Sequence, residues 1–215
     1  MSVKKAGWWR GLNKFLPWPV HYPFRMSRNE RRFFTFWIRP ARHYLEFGCG
    51  GSTFHTLKYS RAKVYSIDSD RLWLDELMTY RYIRLQERRS RWQPGYVNIG
   101  PVEHWGYPRK DADKEMFPEY SSNVFNFIQP DKIDRVLVDG RFRVACVLQT
   151  IIHCHQNPDI QIFIHDFWIR STYHRVLDFL VEMHRVETAG IFTIRNPVDF
   201  NRVNDLYDEY KYLPY

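Results

Sequence analysis

Short apolar runs alternate with longer amphipathic stretches along most of the chain. HYLEF (43–47), KVYSID (63–68), YVNIG (96–100), IDRVLVDG (133–140) and IQIFIHD (160–166) read as five strands, each short, apolar and bounded by polar residues. Helical patterning fills the gaps at 52–59, at 71 to about 87 with Leu74, Leu77 and Met78 on one face, at 120–128 and at 144–153. A last helix is expected at 172–183. HRVET and IFTIR follow as two strands joined by a tight turn at Ala189-Gly190. Ahead of the first strand, Ser27 and Glu30 have capping-box spacing before Phe33, Phe34 and Phe36, and Pro40 ends that helix.

Strands alternating with helices imply a parallel sheet with helices on both faces, and the closing hairpin adds an antiparallel edge. The expected fold class is therefore α/β, a mostly parallel seven-stranded sheet with a C-terminal antiparallel hairpin. Residues 1–26 are basic, aromatic and rich in proline (Pro17, Pro19, Pro23). That density rules out a long helix and predicts an arm. Residues 27–196 read as one domain, and the polar, Tyr-rich segment 197–215 as a tail packing on it.

The net charge of +8 favours an anionic partner: an acidic or phosphorylated substrate, nucleic acid or an anionic membrane. Aromatic residues, at 18 %, are too many for one small core, so some belong on surfaces or in pockets. Cys49, Cys146 and Cys154 show no CxxC spacing, which suits a reducing compartment. Trp8, Trp9, Leu12, Phe15 and Leu16 are interrupted by Arg10, Asn13 and Lys14, so neither a signal peptide nor a spanning run is expected. The expected location is cytoplasmic, with peripheral membrane contact open to the arm through Trp8, Trp9, Arg10 and Lys14.

Residues 44–53, YLEFGCGGST, place three glycines within four positions directly after a strand. A phosphate-cradling loop would need a Lys after the glycines, and none is there. A dinucleotide turn wants G-x-G-x-x-G; Gly48 and Gly50 match, but Thr53 stands at the third position. Glu46, two residues before the first glycine, suits the cationic amino group of a methionine moiety better than a pyrophosphate. Gly48, Gly50 and Gly51 would let the backbone approach a ligand, and Asp68, closing the second strand, can accept from ribose hydroxyls. A strand-to-helix turn with no ligand is the alternative.

EFGCGGST, the VYSID strand and the order of elements resemble class I S-adenosylmethionine-dependent methyltransferases over roughly residues 27–196. YLEFGCGGST, WLDEL, VNIGPVEHWGYP, VLVDGRFRVAC and IFIHDFWIRSTY together are similar to a bacterial-type group of methyltransferase-like proteins whose substrates are mostly unassigned. The resemblance implies a Rossmann-like class I fold and S-adenosyl-L-methionine as cofactor. The cofactor-binding set is then Glu46, Gly48, Cys49, Gly50, Gly51, Ser52, Thr53, Asp68, Ser69 and Asp139, with Trp105 of EHWGYP stacking on adenine. A plain surface loop packed by its own aromatics is the other reading of Trp105 and Tyr107.

In such sheets ligands bind beyond the carboxyl ends of the strands. Asp139 ends the fourth strand, and His165 and Asp166 end the fifth, so these three are the catalytic candidates. Asp139 or His165 would serve as general base for a hydroxyl. Alternatively, Asp139 and Asp166 would hold Mg2+ as the second cofactor. That spacing resembles catechol-type O-methyltransferases, although Phe167 stands where those carry Asn. Capping or pairing with Arg141 and Arg143 is the structural alternative for both acids. Arg141, Arg143, Arg170 and Tyr173 are candidates for binding an anionic substrate. His153, Cys154 and His155 are consecutive on a helix, so they cannot share one metal without unwinding.

The expected function is methyl transfer to oxygen of a small or glycan-like acceptor. Two rivals are a non-catalytic cofactor-binding or scaffolding protein and a nucleic-acid-modifying methyltransferase. The chain lacks the N/D-P-P-Y/F type motif of base amino-methyltransferases and has VDGRFR there instead, which argues against amino methylation of bases.

Overall fold

The structure, a computed structural model, describes residues 11, 14–19 and 22–215. Trp8, Trp9, Arg10, Leu12 and Asn13 of the arm lie outside the described residues.

Helix α1 (Arg28–Ile38) starts at the capping box: the Glu30 amide donates to the Ser27 hydroxyl at 3.1 Å, and the Ser27 amide donates to Glu30 Oε2 at 2.9 Å. Strand β1 (His43–Phe47), helix α2 (Gly51–Tyr59) and strand β2 (Lys63–Asp68) follow as the pattern predicts. The single helix expected over 71–87 is two, α3 (Arg71–Met78) and α4 (Arg81–Arg88). At the break the Thr79 hydroxyl donates back to Glu76 O at 2.7 Å, and the Arg81 amide donates to Lys14 O of the arm at 3.0 Å. Both bonds replace continuous helix geometry.

Strand β3 (Trp92–Tyr96) lies before the expected segment 96–100. It is an edge strand, where Pro94 and Gly95 are tolerated. Val97 and Ile99 are buried in the loop that leaves it. A helical turn (Glu119–Ser122) and a 3-10 turn (Asn123–Asn126) stand at 120–128. Strand β4 (Arg135–Val138), helix α5 (Arg143–Cys154) and strand β5 (Gln161–Ile164) follow.

The helix expected at 172–183 is a 3-10 helix, Ser171–Phe179, and Leu180 already begins β6 (Leu180–Val186). The hairpin turns at Glu187 and Thr188, so Ala189 and Gly190 lie inside β7 (Ala189–Ile194) rather than in the turn. The tail holds a helix, α6 (Phe200–Tyr210), capped by Asp199, with Val203, Leu206 and Tyr210 buried.

The sheet order is β3-β2-β1-β4-β5-β7-β6. β7 runs antiparallel to both neighbours and the other pairs are parallel. Side chains alternate across it. Tyr44, Leu137 and Phe163 join Phe34, Trp37, Phe54, Leu57 and Ile83 of α1, α2 and α4 on one face. Leu45, Phe47, Val136 and Ile162 join Val144, Leu148 and Ile151 of α5 and Val203 of α6 on the other. Among the described residues, no helix is long and apolar enough to cross a membrane.

Candidate active site

The strand order reverses between β1 and β4, and a crevice is expected where their carboxyl ends part. The turns leaving these two strands touch. Gly48 has a φ of +88°, and a Cβ on it would lie 2.6 Å from Gly140 Cα. A Cβ on Gly51 would overlap the Pro23 carbonyl oxygen of the arm. The chain's own packing therefore demands both glycines. Gly48→Ala is expected to lower stability by roughly 2–4 kcal/mol through overpacking and left-handed strain, read as a lower urea midpoint with an unchanged m-value.

Glu46 sits one residue before the end of β1 and is fully buried. The hydroxyls of Tyr44 (2.9 Å), Ser52 (2.7 Å), Ser66 (2.6 Å) and Thr53 all donate to it. Burial pushes its pKa up to about 7, and the hydroxyl donors oppose that rise. The carboxylate thus ties β1, β2 and the start of α2 together beneath the turn. Contact with a cationic amino group would have to replace one of these hydroxyls.

Asp68 closes β2. Its Oδ2 accepts from the Cys49 amide at 3.0 Å and from the Cys49 thiol at 3.3 Å, and its Oδ1 accepts from the Asp70 amide at 2.9 Å. Burial raises its pKa, while the amide donors pull it down. Two amides and a weak thiol do not saturate a carboxylate, so acceptor sites remain for vicinal hydroxyls. Ser69 is buried beside it, and Gly106 packs over the Ser69 hydroxyl. The loop after β3 thus roofs the end of β2. Trp105 points outward, stacked edge-on with His104, with the Arg25 guanidinium of the arm 4.3 Å from its ring centroid.

At the ends of β4 and β5 four charged groups interlock. His165 Nδ1 lies 2.9 Å from Asp139 Oδ1, and Arg143 Nη2 donates to the same oxygen at 3.1 Å. Arg143 Nη1 donates to the His165 carbonyl at 2.6 Å and lies 3.5 Å from Asp166 Oδ2. On the far side of the ring, His165 Nε2 stands 3.6 Å from Glu30 Oε2. Glu30 Oε1 is held by the Thr188 amide and hydroxyl, at 3.1 and 2.6 Å. Burial alone would raise the Asp139 pKa, but the His165 hydrogen bond and the Arg143 charge hold it below the ordinary value. Burial alone would lower the His165 pKa, but Asp139 outweighs it and the pKa rises. Sequence reasoning took Glu30 only as a capping residue. Its reach to His165 is a tertiary contact with no local signal.

Of the substrate candidates, Arg143 is buried within this cluster and Arg170 lies 3.9 Å from Asp166 at its edge. Tyr173 is buried under both guanidiniums, 5.6 and 5.8 Å from its ring centroid. Arg141 stacks 4.1 Å over the Tyr107 ring, and its Nε is a buried donor with no partner among the described residues.

The donor set can be tested against the cofactors the fold family implies. Asp68 with spare acceptors and Arg141 with an unpartnered donor fit the hydroxyl and carboxylate groups of S-adenosylmethionine. The pair Asp139 and Asp166 does not fit Mg2+, because the Arg143 guanidinium already reaches both acids where an ion would need oxygen ligands. Among the described residues no group of three or more His, Cys, Asp and Glu is placed to hold a metal ion. His153 stacks on Phe125, Cys154 is buried, and His155 meets Phe200, so these three serve separate surroundings.

The sequence matches no family model and no curated protein. Among solved structures it is similar to a methyltransferase-like protein from Silicibacter pomeroyi, at 25 % identity over 90 % of this chain and 99 % of that one, with a TM-score of 0.74. A methyltransferase from Geobacter sulfurreducens aligns at 12 % identity over 91 % and 90 % of the two chains, with a TM-score of 0.48. A mycinamycin-pathway methyltransferase, in complex with Mg, SAH and mycinamycin VI, aligns at 16 % identity over 88 % of this chain and 55 % of that one, with a TM-score of 0.43. Overlaps below 0.5 describe a shared outline alone. By its strand order, its glycine turn at the β1–β4 switch point and its full-length match to the first of these, the chain has the class I methyltransferase fold.

Proposed function

We propose that the chain is an S-adenosyl-L-methionine-dependent methyltransferase that acts on oxygen of a small or glycan-like acceptor of anionic character. The observation that carries this reading is the partly buried Asp139–His165 hydrogen bond at the ends of β4 and β5, beside the turn that follows β1. When bound, the cofactor supplies a methyl carbon activated by its sulfonium. Asp68 would accept from the ribose hydroxyls, and the β3 loop would shield them from water. Arg141 Nε would donate to a carboxylate, either of the cofactor or of the acceptor.

Among the described residues, the side-chain bonds to the Asp139 carboxylate both fall on Oδ1, and the side chain keeps 28 % of its exposure. Oδ2 is therefore available to an acceptor hydroxyl. With the donor bound, the acceptor oxygen would displace the methyl carbon from the sulfonium sulfur, which would leave as the neutral thioether of S-adenosylhomocysteine, and the hydroxyl proton would pass to the Asp139–His165 pair. The anionic character of the acceptor is supported by Arg141, whose buried Nε has no partner among the described residues. Calorimetry with S-adenosylhomocysteine tests the donor half. Wild type should bind, and Asp68→Ala should bind about 10–100-fold more weakly, the effect of losing one or two hydrogen bonds to a charged acceptor. No heat at millimolar ligand would overturn the proposal.

A further inference from the structure

The charge of this chain is divided. Residues 1–91 hold nineteen Lys and Arg against seven Asp and Glu, a net of +12. Residues 92–215 hold thirteen against seventeen, a net of −4. The fold preserves the division. Helices α1 to α4, all within the basic part, cover one face of the sheet, and α5 and α6 cover the other. No acidic residue precedes Glu30, and both Glu30 and Glu46 are buried, so the basic layer is more one-sided at its surface than its composition.

Exposed apolar side chains stand among these cations. On α1 and its C-cap, Arg28, Arg32, Phe36 and Arg39 fall on one outward stripe, and Phe36 is 75 % exposed. The arm crosses α2, where Lys58 Nζ donates to Pro19 O at 3.2 Å and lies 5.6 Å from the Trp18 ring centroid. Trp18 rests edge-on against Tyr82 of α4 and is still 52 % exposed, and Phe15 is 76 % exposed. Among the described residues Arg28, Arg32, Arg39, Arg88 and Arg89 are exposed and form no ion pair. In sequence the arm adds Lys4, Lys5, Trp8, Trp9 and Arg10, outside the described residues.

We propose that this helical layer and the arm dock on an anionic lipid surface, with Phe15, Trp18 and Phe36 entering the headgroup region and the surrounding Lys and Arg meeting lipid phosphates. Tryptophan and phenylalanine ringed by cations suit the boundary between headgroups and acyl chains. A single-stranded nucleic acid would instead be tracked by a basic groove whose aromatics stack successive bases. Here Phe15 and Phe36 stand apart, on the arm and on a helix stripe, across the outer side of one helical layer. The inference does not depend on the donor chemistry, since the docking residues lie outside the strand-end site.

Co-sedimentation of the full chain with phosphatidylcholine vesicles, with and without phosphatidylglycerol, tests it. Binding should require the anionic lipid, weaken as salt rises and shift the tryptophan emission to the blue. Arg32→Gln should weaken partitioning about fivefold, the share of one surface cation, and Phe36→Ser should weaken it independently of salt. Both side chains are exposed, and an unchanged melting temperature confirms that each variant is folded. Failure to bind anionic vesicles would overturn the proposal, as would variants that bind like wild type. Single-stranded RNA that binds through Arg32 and Phe36 and is not displaced by anionic vesicles would reassign the face to nucleic acid.

Discussion

Asp139→Asn is expected to lower kcat about 1000-fold, within the range of 10²–10⁴ that a positioned general base contributes. The substitution keeps the shape of the side chain and removes its charge. One oxygen now accepts from both His165 and Arg143, at 2.9 and 3.1 Å. An amide oxygen can still accept both bonds, but without the charge it no longer favours the protonated ring. In the wild type, Asp139 raises the His165 pKa above its ordinary value against the pull of burial. Protonated His165 holds Asp139 below its ordinary basicity, so the pair is the better base when His165 is neutral, and the rate should climb with pH through that raised value and fall below it. In the variant the limb should move to lower pH as the charge that raised it disappears. Titration of the His165 ring by NMR checks the shift with no acceptor in hand, and S-adenosylhomocysteine release across an acceptor panel checks the rate. An unmoved His165 titration with an unchanged rate would remove Asp139 from the chemistry.

Much of the fold was legible because its central strands are short apolar runs with polar ends. HYLEF and KVYSID match β1 and β2 residue for residue. The edges were harder, for a physical reason. β3 carries Pro94 and Gly95, which an edge strand tolerates and a local reading rejects. β6 exposes Glu182, Met183, His184 and Arg185, so its first residues resembled the end of an amphipathic helix. Helix α6 did have a signal, in Asp199 as cap and in Val203, Leu206 and Tyr210 on one face. Abundant Tyr and charge obscured it.

The site divides in the same way. The sequence placed Asp68, Asp139, His165 and Asp166 at strand ends, and there they stand. Which atoms they offer was not legible. Glu46 was marked by its place before the glycines, but its use depends on Ser52, Thr53 and Ser66 closing around it from two other elements. Gly48 and Gly51 suggested ligand approach, whereas backbone from Gly140 and Pro23 already fills the space beside them. Glu30 reaches His165 only because α1 packs beside the β6–β7 turn, where Thr188 fixes it.

Arg143→Met should lower stability by about 3 kcal/mol near neutral pH, the low end of the cost of breaking a buried pair, because Asp139 keeps its bond to His165. The guanidinium is buried and reaches both Asp139 and Asp166. Methionine fills much of its volume, so packing accounts for little of the effect. The pH dependence separates charge from shape. Asp139 has its pKa depressed in the folded chain. Its contribution is therefore present above the unfolded carboxylate pKa and is lost as pH falls through the folded value. Without Arg143 that depression shrinks, so the gap between variant and wild type in urea unfolding should narrow on acidification. A purely steric loss would keep the gap constant. The double variant Arg143→Met with Asp139→Asn should recover part of the loss, because it removes the charge left exposed to burial. Magnesium adds a further discrimination. With the guanidinium gone, Asp139 and Asp166 can share a divalent cation, so Mg2+ should raise the melting temperature of the single variant and leave the wild type, whose cation is built in, unchanged. A wild type stabilised by Mg2+ to the same degree would mean that the two acids take a metal beside Arg143, and would favour the metal-assisted mechanism over the general base.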